Sequence, residues 1–550
     1  MTRRRHPYVR IGLTVIAAVL VFVALVLPDH SGKIKPGELT AGAFLRIPIE
    51  GIVGAAVLLV LPARARRVAA ALLGLGLGVL TLLKVINLGF RYVLARRFNP
   101  VLDWPLLGDG YNYLVETGGK GYATGVVVAA IAGTLAVVAV LVLAVVRLGD
   151  LAGRHHRAAT RAVPAVIAAW VAVALAGVHL APYAPVAADS TLRLAKTTVL
   201  SVPASVAAQK AFAATAARDP WRDVPAGRLL TGLRGKDVVF GVVESYGRSA
   251  LDNPKMARTV VPALAAGAAN LARAGFHARS AYLTSSTFGG GSWLAHATFQ
   301  SGLWIDDQGK YRTVTAGNRM TLTRAFHKAG WHTVAMEPGN THAWPEAAFY
   351  GYDTVHDARN LGYRGPAFGW SRIPDQYVLA QFQQRAYARP DRGPLMAEVS
   401  LTSSHTPFAP IPAMVDWAAV GDGTVYEPIK AAGRTRDEVW TSTGKVRTEY
   451  AKAVAYSVTA LTSWAATYAD DDLVLVIFGD HQAAPTVSGQ DASHDVPVSI
   501  VAKDPAVLDR IAGWGWQDGL HPDDDAPVWR MDGFRDRFLT TFGPGAITTP

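Results

Sequence analysis

The sequence has no cysteine, which excludes disulfide frameworks, thiolate-held zinc, iron–sulfur clusters and thiol nucleophiles together. Any metal it binds is held by oxygen and imidazole. Charge is scarce as well. Only 17% of the 550 residues are Asp, Glu, Lys or Arg, against 50% hydrophobic, where soluble chains average about 25% charged. A wholly soluble protein and a disordered one are both excluded by that balance. No internal repeat is visible.

The net charge of +12 is carried by the front of the chain: residues 1–235 hold 26 Lys and Arg against 10 Asp and Glu, and residues 236–550 hold 28 against 32. These basic residues flank apolar runs and do not form a stripe with interleaved aromatics, so nucleic acid is not an expected partner. Five apolar stretches approach the ~20 residues that cross a bilayer: Ile11–Leu27, Ile47–Leu61, Val68–Leu83, Gly125–Val146 and Val163–Ala181. The second is the weakest, with Glu50 near one end. No small-residue cleavage site closes the first, because Pro28, Asp29 and His30 follow Leu27, and it reads as an uncleaved anchor.

Five spans place three basic segments on one side. These are Arg3, Arg4, Arg5 and Arg10; Arg64, Arg66 and Arg67; and Arg147, Arg154, Arg157 and Arg161. The positive-inside rule makes that side cytoplasmic and puts everything after about residue 182 outside. Arg91, Arg96 and Arg97 run counter to this, diluted by Asp103, Asp109 and Glu116. Lys84, near the outer end of the third span, is expected to snorkel to the interface.

Residues 1–185 therefore read as a five-helix transmembrane domain and 186–235 as a juxtamembrane linker. In the linker a helix over Thr191–Ala217 lies on the outer membrane face and ends at Asp219-Pro220-Trp221. From Lys236 to 550 the pattern changes. Short apolar runs (Asp237–Val243, Pro394–Val399, Leu473–Phe478, Pro497–Val501) alternate with helical stretches (Met256–Ala274, Met320–Ala329, Val446–Tyr468), which predicts an extracellular α/β domain with a mostly parallel sheet.

Functional side chains of open α/β sheets collect at the carboxyl edges of strands. Glu244 directly follows Val238–Val243, Asp480-His481 follow Leu473–Phe478 and Gly479, and Thr402-Ser403-Ser404-His405 follow Leu395–Leu401. A single such group is ordinary capping, whereas several that converge make a metal site of oxygen and nitrogen. In Gly289-Gly290-Gly291-Ser292-Trp293-Leu294-Ala295-His296, three glycines permit close approach of backbone to a ligand and set Ser292 at a helix N-terminus, where amides favour anions. A serine there is ordinarily an N-cap. His296, one turn on, is given a packing role on the same helix face.

In their order, Glu244-Ser245-Tyr246-Gly247, Gly290-Gly291-Ser292-Trp293, Thr402-Ser403-Ser404-His405-Thr406-Pro407 and Gly479-Asp480-His481 behind five spans resemble lipoteichoic acid synthase and its phosphoglycerol and phosphoethanolamine transferase relatives in the alkaline phosphatase/sulfatase superfamily. Gly351-Tyr352-Asp353 with Val355 and Asp357, and Tyr450 with Tyr456, fit the same pattern. The resemblance implies an alkaline phosphatase/sulfatase-like catalytic domain that uses one divalent metal, manganese favoured over magnesium or zinc. Its ligands would be Glu244, Ser292, Asp480 and His481, with Ser292 also the nucleophile. It further implies that His405 binds the substrate phosphate, that His494 assists it or completes a second metal site, and that Trp344 stands beside the headgroup. The chain departs from the relatives in having serine where most carry threonine, and Glu346 near a position where the synthases carry arginine.

Physical chemistry agrees with that assignment. A serine hydroxyl is a poor nucleophile at neutral pH, and metal coordination is the simplest activation where no general base is paired with it. Outside the cytoplasmic membrane there is no ATP, so a transferase there needs an activated donor already in the bilayer. The expected reaction is a ping-pong transfer: Ser292 takes phosphoglycerol from an anionic phospholipid such as phosphatidylglycerol and passes it to a hydroxyl of an envelope glycan or glycolipid. Two alternatives stay open, a phosphodiesterase or phosphatase in which water replaces the acceptor, and a non-catalytic membrane scaffold. Sulfate-ester cleavage is disfavoured, because Ser292 to His296 lack the Pro and Arg of the sulfatase C/S-x-P-x-R motif.

Overall fold

The computed structural model describes residues 7–28, 41–181, 184–370 and 372–543. Arg3, Arg4, Arg5, Asp29 and His30 of the sequence reading lie outside the described residues. The chain forms two compact units, Met1–Tyr92 with Arg96–Ala207, and Val93–Ala95 with Ala208–Pro550.

The first unit is built from helices α1 (Pro7–Val26), α2 (Ile49–Val60), α3 (Ala63–Leu94), α4 (Leu106–Arg154), α5 (His156–Leu175) and the first part of α6 (Ser190–Ala217). Among the described residues, four helical stretches are long and apolar enough to cross a membrane: Tyr8–Val26, Ala63–Leu94, Gly118–Arg154 and His156–Leu175. The expected second span departs from this. Helix α2 has 12 residues, about 18 Å at 1.5 Å per residue, against a hydrocarbon core of about 30 Å. Proline fences it on both sides. Pro48 stands at its N-cap, and Leu61, forced into extended conformation by the following Pro62, ends it.

Polar contacts fix the ends of this bundle. Arg147 donates to the Arg10 carbonyl and to Thr14 Oγ1, Arg67 pairs with Asp150 at 3.0 Å, and His156 Nε2 meets the Leu59 carbonyl at 3.2 Å. Residues from all three basic segments thus gather at one end. Lys84 does not snorkel. It is fully buried, and its ammonium donates to the carbonyls of Ala24 and Leu25 and to Thr191 Oγ1 at 2.8–3.0 Å. A buried ammonium persists where every donor finds an oxygen.

The second unit is an α/β fold on one nine-stranded sheet. Its strands are β1 (Asp237–Val243), β2 (His277–Thr284), β3 (His332–Glu337), β4 (Thr354–Asp357), β5 (Leu395–Leu401), β6 (Leu473–Gly479), β7 (Asp495–Ala502), β8 (Gln517–Asp518) and β9 (Val528–Arg530). They lie in the order β8-β2-β7-β6-β1-β5-β3-β4, with β9 against β2. The run β6-β1-β5-β3-β4 is parallel throughout. Beyond β6 the sheet turns antiparallel at β6/β7, β7/β2 and β2/β8, so the mostly parallel expectation holds for one half of a mixed sheet.

Burial explains which strands were legible. β1, β5 and β6 are buried on both faces along their whole length, the apolar signature of central parallel strands. One face packs on α7 (Pro254–Arg273) and α9 (Thr443–Tyr468). The other packs on α8 (Ser292–Ser301) and α10 (Phe534–Phe542), where Phe299 stacks between Phe478 and Phe534. Register levels the strand ends. Val243 pairs with Gly479 on one side and Leu401 on the other, so Glu244, Asp480 and Thr402 leave the sheet at one edge. Because β7 runs antiparallel, its first residue, Asp495, pairs with Thr284 at the end of β2. His494 and the segment leading to Ser292 therefore reach that edge too.

Candidate metal and nucleophile site

Four of the expected residues converge. Ser292 Oγ lies 3.0 Å from Glu244 Oε2 and 3.2 Å from His481 Nε2, and that nitrogen is 3.5 Å from Glu244 Oε1 and 3.4 Å from Asp480 Oδ2. The backbone explains the aim of the serine. Gly289, Gly290 and Gly291 all have positive φ (74°, 153° and 83°). Gly291, in the left-handed conformation, occupies the N-cap of α8. Ser292 is consequently the first helical residue, with its hydroxyl turned to Glu244 and not used as a cap, and the first amides of the helix lie beside it without intrahelical acceptors.

Gly479 brings β6 against the turn after β1. A methyl group at this position would lie 1.9 Å from the Tyr246 carbonyl oxygen, a distance that no side-chain adjustment relieves. Gly479→Ala is expected to push Asp480 off its position and destabilise the fold by several kcal/mol; circular dichroism melting and metal titration of the variant check this.

Asp480 Oδ1 accepts from the amides of Ser245 (2.7 Å) and His481 (2.8 Å), while the buried Oδ2 has no hydrogen-bond partner. Burial and the neighbouring Glu244 push the Asp480 carboxyl up, against the pull of His481. Burial also acts upward on Glu244, but His481, His405 and the hydroxyls of Ser245 and Ser292 hold it below the usual range. His481 Nδ1 sits 2.8 Å from the Gln482 carbonyl, which only accepts and so puts a proton on Nδ1, while Nε2 faces two carboxylates. With Nε2 of His481 unprotonated, its lone pair and the two carboxylates repel one another unless a cation stands among them. These residues fit a divalent ion: three ligand atoms lie within 4.8 Å of one another, and the orphaned Asp480 oxygen lacks only a positive partner.

The other expected residues are placed less uniformly. His405 lies on the loop after β5, its ring stacked on Trp370 at 4.3 Å and its Nδ1 2.7 Å from the Thr406 carbonyl. Asp375 Oδ1 accepts from the Ser403 amide at 2.9 Å and braces the same loop. His494 is exposed, 3.3 Å from the Ser285 carbonyl and 5.1 Å from the Phe288 ring, and among the described residues no hydrogen bond or ion pair joins it to the four converging side chains. Trp344 packs against Tyr350 and Tyr352 beside the outer turn of α8. Tyr450, buried in α9, donates to the Ser245 carbonyl at 2.7 Å and so supports the turn after β1.

A second buried cluster was not anticipated. His296 pairs with Glu398 at 3.0 Å instead of merely packing, and Glu337 completes a group of three. Here every carboxylate is supplied: Tyr352 donates to Glu398 at 2.8 Å, Gln300 donates to the same oxygen, and Ser400 donates to Glu337 at 2.9 Å. Burial opposes charge on His296, but the Glu398 hydrogen bond and the surrounding carboxylates raise it to about 9. Burial, with Glu398 adding, raises Glu337 to about 7. The cluster thus holds protons where the first group lacks a cation. The sequence signal was Glu398, the one charge inside the mostly apolar Leu395–Leu401.

A carboxyl raised in the folded state takes up a proton that the unfolded chain has already lost, so stability falls as pH rises from the ordinary Glu range through about 7. Glu337→Gln is expected to flatten the fall between pH 5 and 7 and to melt higher than the parent at pH 8. Unfolding midpoints across that range check it; parallel curves for the two proteins would contradict it.

No family model matches the chain, and no curated protein does. Solved structures similar to it include the lipoteichoic acid synthase LtaP from Listeria monocytogenes (14% identity, TM-score 0.37, 58% of this chain and 74% of that one). The phosphoglycerol transferase GacH from Streptococcus pyogenes, in complex with sn-glycerol-1-phosphate, has 11% identity and a TM-score of 0.37 over 62% of this chain and 82% of that one. The soluble domain of lipooligosaccharide phosphoethanolamine transferase A from Neisseria meningitidis has 13% identity and a TM-score of 0.37 over 58% and 93%. Similar solved structures also include the phosphonate monoester hydrolase SpPMH from Silicibacter pomeroyi (14% identity, TM-score 0.31, 56% of this chain and 73% of that one) and the 2-O GAG sulfatase BT1596 (13% identity, TM-score 0.33, 58% and 72%).

Proposed function

We propose that the protein is a membrane-anchored, metal-dependent transferase that moves a phosphoglycerol-type headgroup from an anionic phospholipid to a hydroxyl of an envelope glycan or glycolipid. The observation that carries this reading is the convergence of Ser292 Oγ with Glu244, His481 and the partnerless Asp480 oxygen. Glu244, Asp480, His481 and Ser292 would hold one divalent ion, manganese before magnesium or zinc, which when bound lowers the pKa of a coordinated hydroxyl and offsets charge on phosphoryl oxygens.

Ser292 then attacks the headgroup phosphorus, the bond to the lipid glycerol breaks, and diacylglycerol leaves. The acceptor hydroxyl attacks the phosphoserine in the second step and returns Ser292. Equatorial oxygens that gain charge there would be favoured by the N-terminus of α8, where Ser292 stands. His405 is assigned to the substrate phosphate, and Trp344 to the headgroup. His494 is assigned a supporting role at the rim. Orientation follows from the gathered basic end: Arg10, Arg67 and Arg147 face the cytoplasm, while α6 starts beside Leu25 and Glu50 at the other end, so that the chain continues outside.

The purified protein, supplied with headgroup-labelled phosphatidylglycerol, a divalent ion and cell-envelope glycolipid, is expected to place label on the glycolipid. Release of free glycerophosphate alone would make it a hydrolase, and loss of neither product on chelation would remove the metal from the reading.

A further inference from the structure

The first unit contains a cleft of about 360 Å³ between α1, α2, α3 and α4, within the range of small-molecule sites. Glycine hollows it. Gly74 and Gly78 press α3 against the α4 backbone, whereas a methyl group on Gly76 would meet nothing within 4 Å, and one on Gly54 only Leu73 at 3.9 Å. Its walls are apolar, and Glu50 is the one charged side chain among the described residues that line it.

The polar end is specific. Glu50 Oε1 accepts from the Leu192 amide at 2.8 Å, at the start of α6, while Oε2 is buried without a hydrogen-bond partner. A carboxylate oxygen left without a donor away from water is costly. Lys84 does not serve it, because its donors go to Ala24, Leu25 and Thr191.

Inside a bilayer an acyl chain gains little by exchanging lipid neighbours for leucines, so the polar end must select the occupant. A carboxylate repels a phosphodiester and accepts from a hydroxyl. We propose that this cleft is a lipid site that takes one acyl chain of a neutral, hydroxyl-bearing diacylglycerol, whose free hydroxyl donates to Glu50 Oε2. The site rests on the membrane unit alone, although diacylglycerol is also what the donor lipid leaves behind in the reaction proposed above.

The test uses full-length protein in phosphatidylcholine nanodiscs with a trace of diacylglycerol carrying a mid-chain diazirine. Photolysis is expected to label residues 51–58, 72–80 and 145–152, and a tenfold excess of dioleoylglycerol to remove most of the label, while phosphatidylglycerol and phosphatidylethanolamine leave it. Gly76→Leu and Gly54→Leu should each cut labelling about tenfold, and Glu50→Gln should abolish the preference among competitors. Equal competition by all three lipids would reduce the cleft to ordinary bilayer contact, and competition by phosphatidylethanolamine alone would replace the hydroxyl by an ammonium; either overturns the proposal. The competition needs only the parent protein, so a variant that fails to fold does not spoil it. Labelling reads occupancy and not turnover, so Ser292→Ala should label normally, and failure here leaves the metal site untouched.

Discussion

Ser292→Ala is expected to lower headgroup transfer by about 10⁴-fold or more, the loss typical of removing a catalytic nucleophile, and to abolish the acid-stable phosphoglycerol adduct on its peptide. In the proposed reaction the hydroxyl is the reacting group, and no neighbour within the cluster would replace it: Glu244 and His481 are its contacts at 3.0 and 3.2 Å, and in that reading both would hold the cation. Metal binding should survive, since the two carboxylates and the imidazole remain. Ser292→Thr keeps an Oγ and is expected to retain activity within about tenfold, because positioning of the hydroxyl and not its branching decides attack. Acid quench and mass spectrometry of labelled peptides read the adduct directly. An alanine variant that still transferred label would remove Ser292 from the chemistry.

Why this site was legible in the sequence, and its neighbour was not, follows from where each charge sits. Glu244 and Asp480 come directly after the strand runs and His405 four residues after its own, and a parallel sheet collects the residues that follow its strands at one edge. Motif spacing therefore carried the site. Glu398 lies inside β5, and its partner His296 comes from a helix about a hundred residues earlier. Only the packing of α8 on the sheet brings them together, and no local pattern encodes that packing. β2 and β3 were missed for a related reason. Their exposed starts at His277 and His332 break the apolar run that marked β1 and β6. The membrane unit was legible in its four long helices, while the weakest expected span is the 12-residue apolar α2, which Pro48 and Pro62 cut short.

Asp480→Asn is expected to remove metal binding, by 100-fold or more in affinity, and at the same time to raise the melting temperature of the metal-free protein. Asparagine keeps an Oδ1 for the amides of Ser245 and His481. Its Nδ2 takes the place of the oxygen that has no partner, 3.4 Å from His481 Nε2, and gives that lone pair a donor. In the parent, burial and then Glu244 raise the Asp480 carboxyl, so its ionised form costs stability as pH rises above the ordinary Asp value of 3.8. The gain should therefore be full near neutrality and vanish below that value, where the parent is protonated in both states. A gain of about 1 kcal/mol corresponds to roughly 2 °C in a unit of this size. Saturating manganese should reverse the ranking: at about 100 times the parent's dissociation constant it stabilises the parent by about 2.7 kcal/mol and the variant by no more than about 0.4 kcal/mol. Melting curves with chelator and with manganese separate these cases. If the chelated variant melts below the chelated parent, Asp480 is a structural acid whose charge the fold already satisfies; if no divalent ion shifts the parent, the cluster binds none.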